Sequence, residues 1–165
     1  MENLINDKLL EEFECSTEKA KKEFVKSEER FDAAKTILNL GSQTEELKKI
    51  AYENIYTASR FASTALLFLN NYRVKRTSRS HEAILKASEC ILKDSGKCDI
   101  ETLGAINKLH QIRKRRNSVD YDELPSDISE AGLKIAIETV GWWIEKVRGL
   151  IEGKENSDNL FADAD

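Results

Sequence analysis

The chain has 165 residues and a mass of 18.8 kDa, a length suited to one domain with a single hydrophobic core. Apolar residues make up 40% and charged residues 34%, with seven glycines and one proline; that is too few turn-formers for an all-β sandwich or barrel and too much periodic apolar sequence for disorder along the whole chain. The net charge of −4 is unevenly spread: residues 1–70 carry 10 basic and 13 acidic groups, residues 71–119 carry 12 and 5, and residues 120–165 carry 4 and 12. The middle third is therefore either a surface for an anionic partner or one half of an internal pairing with the acidic ends.

The expected class is all-α. From the N-terminus, Leu10, Phe13, Thr17, Ala20, Phe24, Ser27, Phe31, Ala34 and Leu38 follow 3-4 spacing. That stripe predicts one long helix, or a short helix and then a break near Ser16-Thr17, with residues 1–19 as a helical extension. Gly41 is the expected stop, and Ser42-Gln43-Thr44-Glu45 has the form of a capping box opening helix two. Helix two is predicted to reach about Tyr72, with Leu47, Ile50, Ala51, Ile55, Ala58, Phe61, Ala62, Ala65, Leu66 and Leu69 inward. Around 65–69 it is apolar on all sides, which suits either the central helix of a bundle or a subunit interface.

A basic connector, Arg73, Lys75, Arg76 and Arg79, leads to helix three at about His81–Lys93. A loop with Gly96 leads to Asp99, the expected N-cap of helix four, which covers about Ile100 to Val119. After Pro125, Asp127-Ile128-Ser129-Glu130 resembles a capping box and starts helix five. The stripe of helix five is Leu133, Ile137, Val140, Trp143 or Ile144, Val147, and Leu150 or Ile151. Trp143 belongs to the core by its spacing, with Trp142 at an interface or partly exposed. Gly153 is the expected end, followed by an acidic tail over 153–165 expected to be disordered.

No apolar run is long enough to span a membrane, and Met1–Asp7 has neither the basic start nor the apolar stretch of a secretory signal. Cys15, Cys90 and Cys98 form no CxxC pair, so the expectation is a reduced, cytoplasmic protein without a zinc site, a membrane partner or a cofactor.

Helix four carries the most informative chemistry. Its apolar stripe steps through Ala105, Leu109 and Ile112 and then meets Arg116 and Val119, so a guanidinium falls on the face expected to be covered. Such a charge needs a partner, and Asp120 at i+4 can supply one. Arg113, Asn117 and Tyr121 fall on an adjoining line. The ordinary reading is an intrahelical ion pair with a tyrosine packed at the helix end. The functional reading is a phosphate site, since a planar guanidinium suits bidentate contact with phosphate oxygens.

Arg116-Asn117-Ser118-Val119-Asp120-Tyr121-Asp122 resembles the RNxxDYD variant of the signature helix of HEPN domains. Phe31-Asp32-Ala33-Ala34-Lys35 with Ile37-Leu38 is similar to the first helix of that family, and Ala51-Tyr52 through Ala65-Leu66-Leu67 to its alanine-rich second helix. Ser80-His81-Glu82-Ala83-Ile84 is similar to the histidine-containing start of the next. The resemblance covers about residues 20–152. It implies an antiparallel bundle of about five helices that commonly dimerises, with Arg and His lining a shared cleft. It also implies either a metal-independent ribonuclease of toxin–antitoxin or defence systems, or a non-catalytic partner of small nucleotidyltransferases, or a nucleotide binder. In the ribonuclease pattern a histidine follows the Arg after four to six residues. Here that spacing from Arg113, Arg115 and Arg116 meets no histidine, and Asp120-Tyr121 stands in its place.

The expected function is thus a dimeric HEPN-like module that binds RNA, a nucleotide or a nucleotidyltransferase. The binding residues would be Arg113, Arg115, Arg116, Asn117, Arg76, Arg79 and His81. The alternative is an endoribonuclease toxin with Arg116, Asp120 and Tyr121 as catalytic residues. In that scheme Arg116 stabilises the phosphorane, Asp120 serves as base, and Tyr121 or a distant His81 serves as acid.

Overall fold

The computed structural model describes residues 4–5, 9–40, 44–75, 80–121 and 128–162; its side-chain account leaves out 117–121 and 157–162. Five helices form an all-α bundle: α1 (Thr17–Leu38), α2 (Glu45–Leu69), α3 (Ser80–Asp94), α4 (Ile100–Tyr121) and α5 (Glu130–Ala162). A small ribbon joins them, with β1 (Leu10–Glu12) antiparallel to β2 (Tyr72–Val74) in the register Leu10↔Val74, Glu11↔Arg73, Glu12↔Tyr72. Among the described residues no helix is long and apolar enough to cross a membrane.

The ribbon replaces the expected helical extension over residues 9–16, while Leu4 and Ile5 are helical, and the break expected near Ser16-Thr17 is present. Leu10 is buried in a strand, and the helix begins only where Ser16 caps it by accepting from the Lys19 N–H at 3.3 Å. Asn71 holds the ribbon in place. Its φ of 61° lies in the left-handed region that asparagine tolerates better than most residues. Its carbonyl accepts from the Phe13 N–H at 2.8 Å, and its side-chain oxygen accepts from the Cys15 N–H at 3.2 Å.

Helix α2 is the centre of the bundle and packs against α1, α3, α4 and α5. Its apolar girth is covered by its own chain, which settles the choice between central helix and subunit interface without a second copy. Alanines at 51, 58, 62 and 65 are buried, as are Ala20, Ser27 and Ala34 of the closely packed α1. Ser27 donates to the Ala58 carbonyl at 2.8 Å, a buried bond that ties the two backbones together. The N-cap of α2 is Thr44, accepting from the Leu47 N–H at 3.3 Å; Gly41 and Ser42 lie outside the described residues.

Helix α3 closes at Gly96, whose φ of 68° suits glycine, and the Lys97 N–H returns to the Leu92 carbonyl at 2.9 Å. Asp99 caps α4 as expected, accepting from the Thr102 N–H at 2.7 Å. Ser129 caps α5 through the Gly132 N–H at 3.1 Å; Pro125 and Asp127 lie outside the described residues. The α5 stripe lies where its spacing put it, with Trp143, Val140 and Val147 fully buried and the Trp143 indole N–H donating to Ser63 at 3.0 Å.

Gly153 does not end α5. The helix runs on to Ala162, and the turn directly after Gly153 docks on its neighbours: Lys154 donates to the Leu69 carbonyl at 2.6 Å, and Glu155 pairs with Lys21. Tertiary contacts of this kind outweigh the cost of about 1 kcal/mol for a helical glycine.

Candidate anion-binding cleft

Three helices bring charge together at one end of the bundle. On α2, Glu53, Tyr56 and Arg60 lie at i, i+3 and i+7 and so share a face. The first turn of α3 adds His81 and Glu82, and the last turns of α4 add Arg113 and Arg116.

Arg116 grips Glu53 with both arms of its fork, Nε to Oε2 at 2.7 Å and Nη2 to Oε1 at 3.3 Å. Its guanidinium carbon lies 5.7 Å from the Tyr56 ring centre. Arg113 is 3.7 Å from Glu82, and its buried Nε has no hydrogen-bond partner among the described residues. Tyr56 and His81 Nδ1 are 2.8 Å apart, and His81 Nε2 is 3.0 Å from Arg60 Nη1. Arginine only donates, so Nε2 accepts, Nδ1 carries the proton, and Nδ1 donates to the Tyr56 oxygen. His81 is thereby held neutral.

Two cavities meet at Arg60. One, of about 650 Å³, is lined by Arg30, Lys49, Arg60 and Arg116 against the carboxylates of Glu46 and Glu53, and so carries excess positive charge. The other, of about 410 Å³, is lined by Arg60, Arg73, Lys75 and His81, by the carboxylate of Glu23, and by apolar groups that include Phe61 and Phe68. Among the described residues no group of three His, Cys, Asp or Glu side chains is placed to hold a metal ion.

The expected site residues divide three ways. Arg113, Arg116 and His81 do come together, and His81 is beside the arginines, where the sequence had set it apart. The partner of Arg116 is Glu53 on another helix, and not only a neighbour on its own; the side chains of Asp120, Asn117 and Tyr121 lie outside the described residues, although the α4 backbone is helical to Tyr121. Arg115 sits away from the cluster, beside Gly132 at the start of α5. Arg76 and Arg79 lie outside the described residues. Three members escaped the sequence reading: Glu53, Tyr56 and Arg60. A signal was there, since Glu53 and Arg60 are the only charged residues between Ile50 and Tyr72 on a helix otherwise built of apolar and small residues.

The surroundings favour uncharged ring groups. Burial pushes His81 below its ordinary value, the guanidinium groups of Arg60, Arg116 and Arg113 push the same way, and Glu53 opposes them. His110, one turn before Arg113, is lowered by burial first and then by Arg113. Burial raises Tyr56, and raises Tyr52 to about 12. A histidine whose folded value is depressed contributes full stability above its ordinary value of 6.5, and that stability is lost as the pH falls from there through the lowered value. The thermal midpoint is therefore expected to drop as the pH goes from 7 towards 5, with a shallower drop in His81→Gln. Glu82, held below the carboxylate range by Lys86 and Arg113, gives way only at lower pH. A melting series across pH 5–8 checks this, and a midpoint that rises on acidification in that window would contradict a neutral His81.

Comparison with protein-family models, curated proteins and solved structures finds no match to this chain.

Proposed function

We propose that the protein is a dimeric, HEPN-like module that binds RNA or a nucleotide by its phosphates, in the cleft bounded by Arg60, Arg113 and Arg116. It would act alone or with a nucleotidyltransferase partner in a toxin–antitoxin or defence setting. The observation that carries the phosphate reading is Arg60: it opens onto both cavities, and its hydrogen-bond partner is a neutral imidazole, so its charge is left for a ligand. The resemblance of the signature helix supplies the nucleic-acid class. Dimerisation draws on that resemblance and on the exposed Ile100 and Ile135, which stand near a groove lined by Gly104, Ala105 and Trp142.

The close approach of His81 to Arg116 also supports a second reading, a metal-independent endoribonuclease. Binding is favoured over it because both ring nitrogens of His81 are engaged, one accepting from Arg60 and one donating to Tyr56, and acid–base work needs one of them at the reacting atom.

The test is fluorescence anisotropy with labelled single-stranded RNA, in EDTA, at low and raised salt. Binding is expected to weaken with salt and to fall about tenfold in Arg116→Ala, the scale of one charge-assisted contact. No binding at low salt, or binding unchanged in that variant, removes the reading. RNA cleavage in EDTA that vanishes in Arg116→Ala selects the nuclease instead.

A further inference from the structure

We propose that His81 is a positioning residue: a neutral acceptor that aims the Arg60 guanidinium into the junction of the two cavities and takes the place of a carboxylate partner, of which Arg60 has none among the described residues. The inference rests on the reading of the cleft as an anion site and assigns its principal contact to Arg60, with His81 and Tyr56 as the groups that hold it in place.

The argument starts from how the carboxylates are distributed. Glu53 is taken by Arg116, and Glu82, the residue next to His81, turns to Lys86 at 2.8 Å and to Arg113 at 3.7 Å. Each of those cations is thus oriented by an anion that also cancels its field. Arg60 is treated differently. Its Nη1 is held by His81 Nε2 at 3.0 Å, and its guanidinium carbon lies 5.3 Å from the Phe61 ring centre. An aromatic face and an imidazole lone pair fix where the fork points, yet neither carries a negative charge. A carboxylate in place of His81 would orient Arg60 equally well and would repel the ligand.

The imidazole is itself held. Tyr56 is only 4% exposed, and its oxygen accepts from Nδ1 at 2.8 Å, so the ring is oriented from inside the core while Arg60, which can only donate, selects the tautomer. The chain of contacts runs from the core outward: the Tyr56 oxygen orients the ring, and the ring orients the guanidinium of Arg60. Arg60 is common to both cavity walls, so one guanidinium serves both.

The test uses the full chain and the same labelled single-stranded RNA. Arg60→Ala and His81→Leu are each expected to weaken binding about tenfold, and the double variant is expected to be no weaker than Arg60→Ala alone. His81→Gln, whose amide oxygen can accept from Arg60, is expected to stay within about twofold of the parent, a rescue that a merely space-filling role would not predict. Nitrogen-15 spectra of imidazole-labelled protein should show an unprotonated Nε2. Binding in His81→Leu equal to the parent, His81→Gln as weak as His81→Leu in folded protein, or a protonated Nε2 overturns the proposal. Failure of the anion site looks different: the parent binds no RNA at low salt, while the spectra still show the proton on Nδ1.

Discussion

Replacing Trp143 with alanine is expected to lower the unfolding free energy by about 3–5 kcal/mol, the cost of deleting the largest fully buried side chain and leaving its cavity. Trp143 is 0% exposed on α5 and faces α2, where Ser63 accepts its indole proton at 3.0 Å. Two effects combine at this position. Most of the loss is apolar area and packing. The hydrogen bond adds a smaller share, which Trp143→Phe isolates at about 1–2 kcal/mol. Ser63→Ala should cost a comparable amount, because it strands a buried indole N–H. Urea unfolding with unchanged slope measures all three, and a Trp143→Ala loss below about 1 kcal/mol would mean that α5 does not seat on α2 as described.

The core was readable because its residues recur at helical spacing over long stretches. Leu133, Val140, Trp143, Val147 and Ile151 need only their own order in the chain to predict a buried face. The misreadings fall where the deciding contact is far away in sequence. Leu10, Phe13 and Thr17 continue the stripe of α1, but three residues of strand cannot be told from helix by periodicity, and the pairing partner is Tyr72–Val74. Gly153 is a reasonable stop by propensity, and only the docking of Lys154 on Leu69 and of Glu155 on Lys21 shows why the helix continues. Thr44 and Ser42 are equally good caps by residue type, and the bond from the Leu47 N–H is what marks Thr44 as the cap.

The candidate site divides in the same way. Arg116 stands out because a charge interrupts an apolar stripe, and that much is local. One partner is not local: Glu53, 63 residues away, grips the fork in space, while the side chain of Asp120, the nearest carboxylate in sequence, lies outside the described residues. His81 shows the reverse. By sequence it is a helix-start histidine near other basic residues. Its neutral state becomes legible only when Tyr56 and Arg60, 25 and 21 residues earlier, are found on its two nitrogens.

Glu53→Gln is expected to move stability and ligand affinity in opposite directions. The substitution keeps the shape of the side chain and removes the one carboxylate that grips Arg116 from α2. The pair is only partly shielded, with side-chain exposures of 24% for Arg116 and 44% for Glu53, so solvent screens it and its loss should cost about 0.5–1 kcal/mol. In the ligand-free protein the change also leaves the guanidinium groups of Arg60, Arg113 and Arg116 with less to offset their mutual repulsion. For a phosphate ligand the same change is favourable. It weakens the hold of Glu53 on the Arg116 fork, a contact the ligand must otherwise displace, and it takes a negative charge out of the larger cavity. Affinity for labelled RNA should therefore rise about three- to tenfold at low salt, with the gain shrinking as added salt screens the cleft. Anisotropy at two salt concentrations and a thermal melt on the same preparation measure both effects. If affinity falls with stability, Glu53 itself contacts the ligand, and the cleft reads a donor group as well as a phosphate. If affinity is unchanged while stability drops, Arg116 is structural and the reading of the cleft as an anion site fails.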